Sequence, residues 1–314
     1  MTVKRLPFFL AAVTAFVIAA LTQPALAMYH PTVGRFLQRD PSGYTDGMSL
    51  YEYVGSRPLT KVDSQGMKVE IGQIASPDTV SQRVLKVESS IKHDYRYIEW
   101  WYVANAATLA QLGDEFSPGI FSKGSNAFVF TCSAGWLDLG HFFLCGHIAY
   151  AEGSVGKGVE AGIAMERLQD WIRENVPFGG GGFGASAWTP EDIVSDTVGA
   201  LFGAEIQRMD RNIIKGYWAA EQYRSPPPSL TNITWAFKEL LAAYGAVSHE
   251  RPEVLPILQQ DARSWQTAKG DPKESIRRYG KSYAASIQFQ QSGIAFRCLC
   301  NEDGTARKEY RWEP

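Results

Sequence analysis

The sequence predicts an α+β protein, in which a small β-hairpin-rich segment precedes a mainly α-helical C-terminal domain with a terminal β-hairpin. Residues 28–67 are short extended pieces separated by turn residues, a pattern typical of hairpins. The central part of the chain repeats small and apolar residues at helical spacing, and Asp303-Gly304 is a hairpin turn signal near the end. With 45% hydrophobic and 20% charged residues among 314, the composition is that of a globular protein.

The first 27 residues have the pattern of a secretory signal peptide. Lys4 and Arg5 precede an apolar run from Leu6 to Leu21, and residues 25–27 (Ala-Leu-Ala) have the small-x-small pattern of a cleavage site. The run is shorter than the roughly 20 residues that a membrane span needs. We therefore expect export to the periplasm, the cell surface or the medium. An uncleaved N-terminal anchor is the alternative, and it leaves membrane association open.

The charge of the chain gives no support to nucleic-acid binding. The formal net charge is −2, and removal of residues 1–27, which hold two basic and no acidic residues, makes it −4. A broad basic footprint is the usual sign of a nucleic-acid binder, so we expect no such partner.

Four cysteines follow the signal segment, namely Cys132, Cys145, Cys298 and Cys300. In an oxidising compartment they allow three pairings. A bond between Cys298 and Cys300 is disfavoured, because only one residue separates them and the geometry of a disulfide is specific. Two bridges, and two buried thiols beside one exposed pair, both remain open.

Residues 28–67 are divided by turn signals. Pro31–Gly34, Asp40–Gly43 and Asp46-Gly47 have turn composition. Leu50–Val54 alternates apolar and polar residues as a half-buried strand does, and Asp63–Gly66 closes the unit.

This segment resembles the RHS repeat-associated core, the end of the RHS/YD-repeat shell. The matching positions are Tyr29, Pro31, Gly34, Arg35, Phe36, Asp40, Pro41, Gly43, Leu50, Tyr51, Tyr53, Val54, Pro58, Asp63 and Gly66. The resemblance implies, for some members, an aspartate-dependent self-cleavage with Arg39 and Asp40 in the catalytic neighbourhood and the cut near Met67. This chain departs from the pattern, since it has no upstream repeats and no Pro after Asp63. The alternative is a β-rich remnant that packs on the next domain.

Residues 68–314 correspond to the variable C-terminal domain of RHS proteins, with a subdomain break expected at residues 225–229. The resemblance implies an uncharacterised effector or interaction domain of the polymorphic-toxin kind, with an immunity-type protein or an envelope component as partner. The expected helices are Val80–Ile91, Leu137–Ala151, Gly156–Glu174, Pro190–Arg208, Thr234–Tyr244 and Pro272–Ile287, followed by a hairpin over residues 288–312. Thr189 as N-cap before Pro190 marks the clearest helix start.

Polar residues interrupt three of these apolar helices at regular spacing. Asp138, His141 and Cys145 share one face, because they are three and four residues apart. Further acids and glycines line the next two helices, and glycines four residues apart let helices approach closely. We therefore expect three helices to bring together Asp138, His141, Glu166, Gln169 and Asp196, next to Gly158, Gly162, Gly199 and Gly203.

The order of these signals is similar to that in VanZ-like and YfiM-like envelope proteins over residues 137–203. Those proteins carry D-K-x-x-H, E-x-x-Q and a D-x-x-x-N-x-x-G helix. Here the leading acid is Asp138, one place late, and Asp196 replaces the Asn. This group has no defined chemistry to carry over.

The polar residues of the three helices leave several functions open besides that of an effector domain. A metal-dependent hydrolase would use His141, Cys145 and Glu166 as ligands, with zinc as the candidate metal and Asp196 or Asp138 as base. Asp138, His141, Glu166 and Asp196 are the candidate catalytic residues. Alternatively, the same side chains form a buried polar network that fixes helix register. A structural cell-envelope protein with a helical membrane-proximal domain is the remaining alternative.

Overall fold

The computed structural model describes residues 29–30, 35–36, 74–91, 101–116, 127–175, 188–219, 230–266 and 277–314. The chain forms two units, one of residues 1–71 and 169–186 and one of residues 72–168 and 187–314. In order, the elements are β1 (Tyr29–His30), β2 (Arg35–Phe36), α1 (Pro77–Ser90), α2 (Trp101–Phe116), β3 (Phe128–Thr131), β4 (Gly135–Asp138), α3 (Leu139–Glu152), α4 (Val155–Asn175), α5 (Pro190–Ala219), α6 (Ile233–Ala243), α7 (Val254–Gln266), α8 (Tyr283–Gln291) and α9 (Ile294–Leu299).

The described part is mostly helical, as the sequence predicts, and its strands form two short antiparallel pairs. In the first unit, β1 pairs with β2, and Tyr29 faces Phe36. In the second unit, β3 pairs with β4, from Phe128 opposite Asp138 to Thr131 opposite Gly135. Within the described residues, no helix is long and apolar enough to cross a membrane.

The α1 helix follows the rules of helix capping. Ser76 accepts a hydrogen bond from the Thr79 amide, and Pro77 occupies the first turn, where its missing N–H costs nothing. Its buried face carries Val80, Val84 and Val87, which join the main core. The helix predicted over residues 80–91 is therefore present, and it begins three residues earlier.

Helices α3 and α5 pack backbone against backbone at glycines. A Cβ atom on Gly199 would come within 3.0 Å of the Phe142 carbonyl oxygen, and one on Gly203 would meet the Gly146 oxygen in the same way. Such distances leave no room for any side chain at either position. The close approach that the glycine spacing predicts is thus present between α3 and α5.

Helix α4 meets the other two through a second pair of glycines. A Cβ atom on Gly158 would approach Ala200, and one on Gly162 would approach the carboxylate of Asp196. Each predicted glycine therefore faces a neighbouring helix. The aromatic core packs beside this three-helix contact, with ring centroids 4.9–6.5 Å apart among Phe142, Phe143, Phe202 and Phe237.

A smaller core holds the C-terminal segment against the β3–β4 hairpin. A disulfide joins Cys132, in the hairpin turn, to Cys300, and Ser133 donates a hydrogen bond to the Gly304 carbonyl at 2.8 Å. The indole N–H of Trp136 donates to Asp261 on α7 at 2.9 Å. Among the pairings that the sequence allows, the structure therefore has a single bridge, with Cys145 buried and Cys298 half-buried as free thiols.

The prediction of a terminal β-hairpin over residues 288–312 is wrong for most of that range. This range contains the end of α8, then α9, and only after them a tight turn with Gly304 at φ +81°. One isolated bridge between Cys300 and Ala306 closes that turn. Helix α9 forms because Ala295 and Leu299 reach the smaller core on one face, while Asp261 accepts a hydrogen bond from the Ala295 amide.

The helix predicted over Pro272–Ile287 is interrupted within its described part. Residues 277–280 are helical, and α8 starts afresh after Ser282, whose hydroxyl caps it. Gly280 lies so close to the Trp188 carbonyl that a Cβ atom would not fit. Helices α2 and α7 were not predicted from the sequence. Pro272, the signal segment and the expected break at residues 225–229 lie outside the described residues.

Replacing Gly203 by Ala tests the helix contact. We expect a loss of about 1–3 kcal/mol in the free energy of unfolding, because the added methyl overpacks a backbone contact. Gly216→Ala is the matched control on the same helix, since nothing lies within 4 Å of its Cβ position, and it should gain about 0.4–1 kcal/mol. Denaturant unfolding measures both, and equal stabilities for the two variants would contradict this packing.

Thiol titration tests the disulfide assignment. We expect two reactive thiols per unreduced, denatured chain, from Cys145 and Cys298, and four after reduction. In the native protein Cys298 should react first, because Cys145 is fully buried. A count of zero or four before reduction would show a different pairing.

Candidate metal and catalytic site

Three chain segments meet at the candidate site, and all of its residues belong to the second unit. Asp138 ends β4 and serves as N-cap of α3, where its carboxylate accepts hydrogen bonds from the amides of Gly140 and His141. Glu166 comes from α4. Glu191, Asp192 and Asp196 come from the first two turns of α5.

The orientation of the His141 ring is fixed by Asp196. The Nδ1 atom lies 2.9 Å from Asp196 Oδ1, and since a carboxylate only accepts hydrogen bonds, Nδ1 carries the proton. The Nε2 atom then faces Glu166 Oε1 at 3.7 Å and Asp192 Oδ1 at 3.8 Å. These distances are too long for hydrogen bonds. A His–carboxylate pair that frees the other ring nitrogen is the usual support of a metal-binding histidine.

Each of three carboxylates is held through one oxygen while its second oxygen stays available. Glu166 Oε2 accepts from the Trp188 amide, and Asp192 Oδ2 accepts from the Thr189 amide at 2.9 Å. Asp196 Oδ1 accepts from His141 and from the Cys145 thiol. Buried oxygens without a hydrogen-bond partner remain on Glu166 (Oε1), Asp196 (Oδ2) and Glu191 (Oε2).

Asp138 and Glu191 are tied to each other through Ser195. The Ser195 hydroxyl donates to the Glu191 carbonyl at 2.6 Å and accepts from the Asp138 amide at 2.8 Å. This bridge anchors the start of α3 to the first turn of α5.

Trp188 has a strained backbone next to the site. Its φ angle of +63° is the left-handed region, which costs a bulky residue about 1–3 kcal/mol. In that conformation its amide points at Glu166, and its ring packs with Ile163 and Ile193. Lys281 lies 5.7 Å from the centroid of the ring. The strained residue therefore supplies the amide that holds the Glu166 carboxylate.

Burial dominates the protonation of the site. Desolvation raises the pKa of Glu166 to about 7 and that of Glu191 to about 8. It also raises the pKa values of Asp138 and Asp192, against the opposing effect of His141. The pKa of His141 is raised well above its usual value, because the surrounding acids outweigh the desolvation of its ring. The site therefore holds protons when no cation is bound.

The best metal ligand set is Asp138, His141 and Asp192. One ligand atom from each lies within 4.8 Å of the other two, and ligands of a tetrahedral zinc ion are roughly 3.4 Å apart for bonds of about 2.0–2.1 Å. The three atoms would have to move closer together to hold a zinc ion, which would keep a fourth position for water. Of the three, the His141 side chain is the most exposed, at 16%.

The structure brings together the predicted Asp138, His141, Glu166 and Asp196. The predicted ligand Cys145 is present too, but its thiol donates to Asp196 at 3.1 Å and burial raises its pKa, so it is a poor thiolate ligand. Arg39, Asp40 and Met67 lie outside the described residues, and their predicted role stays a prediction. Gln169 is buried one turn after Glu166 but belongs to the first unit.

Sequence reasoning missed Asp192 and Glu191 as members of the site. Asp192 is four residues before Asp196 and shares its helix face, so the residue spacing was enough to predict that it joins the site. Glu191 has no such signal, because it reaches the site only through the close packing of α5 against the start of α3.

A comparison with protein families, with curated proteins and with solved structures finds no match to this chain.

The raised pKa values predict that the metal-free protein loses stability as the pH rises from 6.5 to 8.5. Groups with raised pKa values hold protons in the folded state that the unfolded chain has already released, so each adds stability that disappears as pH passes its folded pKa. In this window Glu166 and Glu191 titrate. His249, whose pKa burial lowers, acts in the opposite sense only near and below its unfolded value of 6.5.

Thermal unfolding in the presence of a chelator measures the effect, and each kcal/mol lost lowers Tm by roughly 2–4 °C. The variant Glu191→Gln should flatten the slope. A Tm that stays constant or rises up to pH 8.5 in the unmodified chain would contradict the prediction.

Proposed function

We propose that the helical domain is a metal-dependent hydrolase centred on His141, and that it is the effector of an exported protein. The observation that carries this proposal is the Nε2 atom of His141, which has no hydrogen bond. It lies 3.7 Å from Glu166 Oε1, a buried oxygen without a hydrogen-bond partner, and 3.8 Å from Asp192 Oδ1. Buried polar atoms are almost always paired in folded proteins. A divalent cation beside Nε2 would give Glu166 Oε1 a partner.

The residues divide naturally into roles. Asp138, His141 and Asp192 are the ligands, and Asp196 positions His141 through Nδ1. Glu166, with a pKa near 7 and an oxygen 3.7 Å from Nε2, suits the general base. A zinc ion bound here would act as a Lewis acid and lower the pKa of a bound water. Cys145 donates its thiol proton to the positioning carboxylate.

A purely structural polar network explains these contacts less well. Such a network stabilises a fold when all its members are paired, whereas three buried carboxylate oxygens here have no hydrogen-bond partner. Within the described residues, His141 is the only cationic side chain within ion-pair distance of these acids.

Export and an effector role rest on other parts of the chain. The disulfide between Cys132 and Cys300 suits an oxidising compartment, in agreement with the signal pattern of residues 1–27. The effector role follows from the resemblance of residues 28–67 to the RHS core. An immunity-type protein is then the expected partner.

Metal analysis of the purified full chain tests the proposal. We expect at least one equivalent of a divalent metal, and less than about a tenth of an equivalent in His141→Ala. Asp196→Asn should weaken metal affinity about 10–100-fold, as loss of a supporting carboxylate does. His249→Asn is the matched control with unchanged metal content. A metal-free unmodified chain after incubation with zinc or manganese would refute the metal site.

Expression of the full chain in a bacterium tests the effector role separately. Growth arrest by the unmodified protein, and its loss in His141→Ala and Glu166→Gln at equal protein levels, is the expected result. Arrest that persists in both variants would mean that the toxicity does not come from this site.

A further inference from the structure

A short basic segment, residues 277–281, lies against the backbone that holds the candidate site. The amides of Trp188 and Thr189 donate hydrogen bonds to two carboxylates of the site. The carbonyls of the same two residues lie next to Gly280, because a Cβ atom on Gly280 would be no more than 3.0 Å from either oxygen. Trp188 and Thr189 therefore contact both the site carboxylates and the basic segment.

Contacts with helix α8 fix the position of the basic segment. The Ser286 hydroxyl donates a hydrogen bond to the Tyr279 carbonyl at 2.8 Å, and the Tyr279 ring stacks on Phe289 with the centroids 5.1 Å apart. The side-chain amide of Gln290 donates to the Pro190 carbonyl at the start of α5. The segment is thus attached to the helix that supplies three acids of the site.

Two cationic side chains of the basic segment are open to solvent. Arg278 and Lys281 are both exposed, and no hydrogen bond or ion pair joins either of them to another described residue. The Lys281 ammonium lies 5.7 Å from the centroid of the Trp188 ring. Cations that have no acidic partner attract an anion from solution.

The Trp188 ring carries a hydrogen-bond donor close to the Lys281 ammonium. Trp188 is 7% exposed, and its indole N–H has no hydrogen-bond partner. Buried donors are nearly always paired in folded proteins. An anionic group that contacts both the indole and the ammonium would supply the missing partner.

The acids of the site explain why an anionic substrate would need these cations. Five carboxylates are at most 7% exposed, so their charge exceeds that of one divalent cation when they ionise; they are Asp138, Glu166, Glu191, Asp192 and Asp196. Excess negative charge repels an anion, and neighbouring cations reduce that repulsion. An uncharged substrate would not require them.

We propose that Arg278, Lys281 and the Trp188 indole bind the anionic group of the substrate, and that this substrate is a small phosphate ester. The inference rests on the proposed metal-dependent hydrolase and names its substrate class. A phosphate group has several acceptor oxygens and pairs well with arginine and lysine. A net charge of −2 for the whole chain, with two exposed cations in the segment, favours a small ester over a nucleic-acid strand.

The basic segment has a binding role in the hydrolysis of such an ester. The oxygen of water bonds to phosphorus, and the bond from phosphorus to the leaving oxygen breaks. Glu166 accepts a proton from the attacking water, and the leaving oxygen takes up a proton in return. Because Arg278 and Lys281 hold the anionic group before and during this step, their loss raises KM more than it lowers kcat.

Calorimetric titration of the zinc-incubated full chain with inorganic phosphate tests the anion site. Lys281→Gln should weaken phosphate binding about 3–5-fold, as the loss of an exposed ion pair does, and Lys281→Arg should preserve it. Lys157→Gln is the matched control, because it removes the same charge from an exposed pair with Glu160 on α4.

Equal phosphate affinity in Lys281→Gln and Lys157→Gln would overturn the inference, and so would the absence of phosphate binding in the unmodified chain. The zinc content of the same samples reports separately on the proposed function.

Hydrolysis of two synthetic esters tests the substrate class. With bis(4-nitrophenyl) phosphate, Lys281→Gln should raise KM about 3–5-fold and leave kcat nearly unchanged. With 4-nitrophenyl acetate, which is uncharged, the variant should match the unmodified chain. Hydrolysis of the acetate alone, or an equal effect of the variant on both esters, would overturn the phosphate-ester assignment. Hydrolysis of neither ester would count against the proposed hydrolase, and the phosphate titration would then decide the anion site.

Discussion

The backbone contact between helices α3 and α5 is the constraint on which the rest of this domain depends. Gly199 and Gly203 allow α5 to lie directly against the carbonyls of α3. At that separation Asp196 reaches the ring of His141, and Ser195 reaches the Asp138 amide. Any side chain at either glycine would move the acids of α5 away from the imidazole, so the packing of the core and the geometry of the site share one cause.

Several features of the candidate site lower the stability of the fold. Five carboxyl groups lose their hydration around a single imidazole, and Trp188 is held in a left-handed conformation. Both costs must be offset by the remaining structure. The aromatic cluster around Phe142 and Phe237 supplies stabilisation beside α3, and the disulfide to Cys300 supplies it at the turn between β3 and β4. A local conflict of this kind is expected where a protein is shaped for chemistry.

The C-terminal segment stabilises the hairpin that leads into helix α3. It is attached to the β3–β4 turn by the disulfide and to β4 by Trp136, which binds Asp261 of α7. Strand β4 ends at Asp138, the residue that both caps α3 and contributes to the site. Helix α7 and Cys300 therefore hold in place the hairpin that ends at Asp138, a residue of the candidate site.

The sequence by itself determined which helices carry the site and which of their faces meet. Residue spacing was enough for His141, Glu166 and Asp196, and for the glycines that let the helices approach, because both follow from the helical repeat. Asp138 joins them as the last residue of β4 and the N-cap of α3, and not as a helical residue. Only the tertiary structure decided that Glu191 joins them, that Cys132 pairs with Cys300, and that residues 294–299 form a helix instead of a strand. Those outcomes depend on contacts between distant segments, and a short apolar run has no preference strong enough to decide them alone.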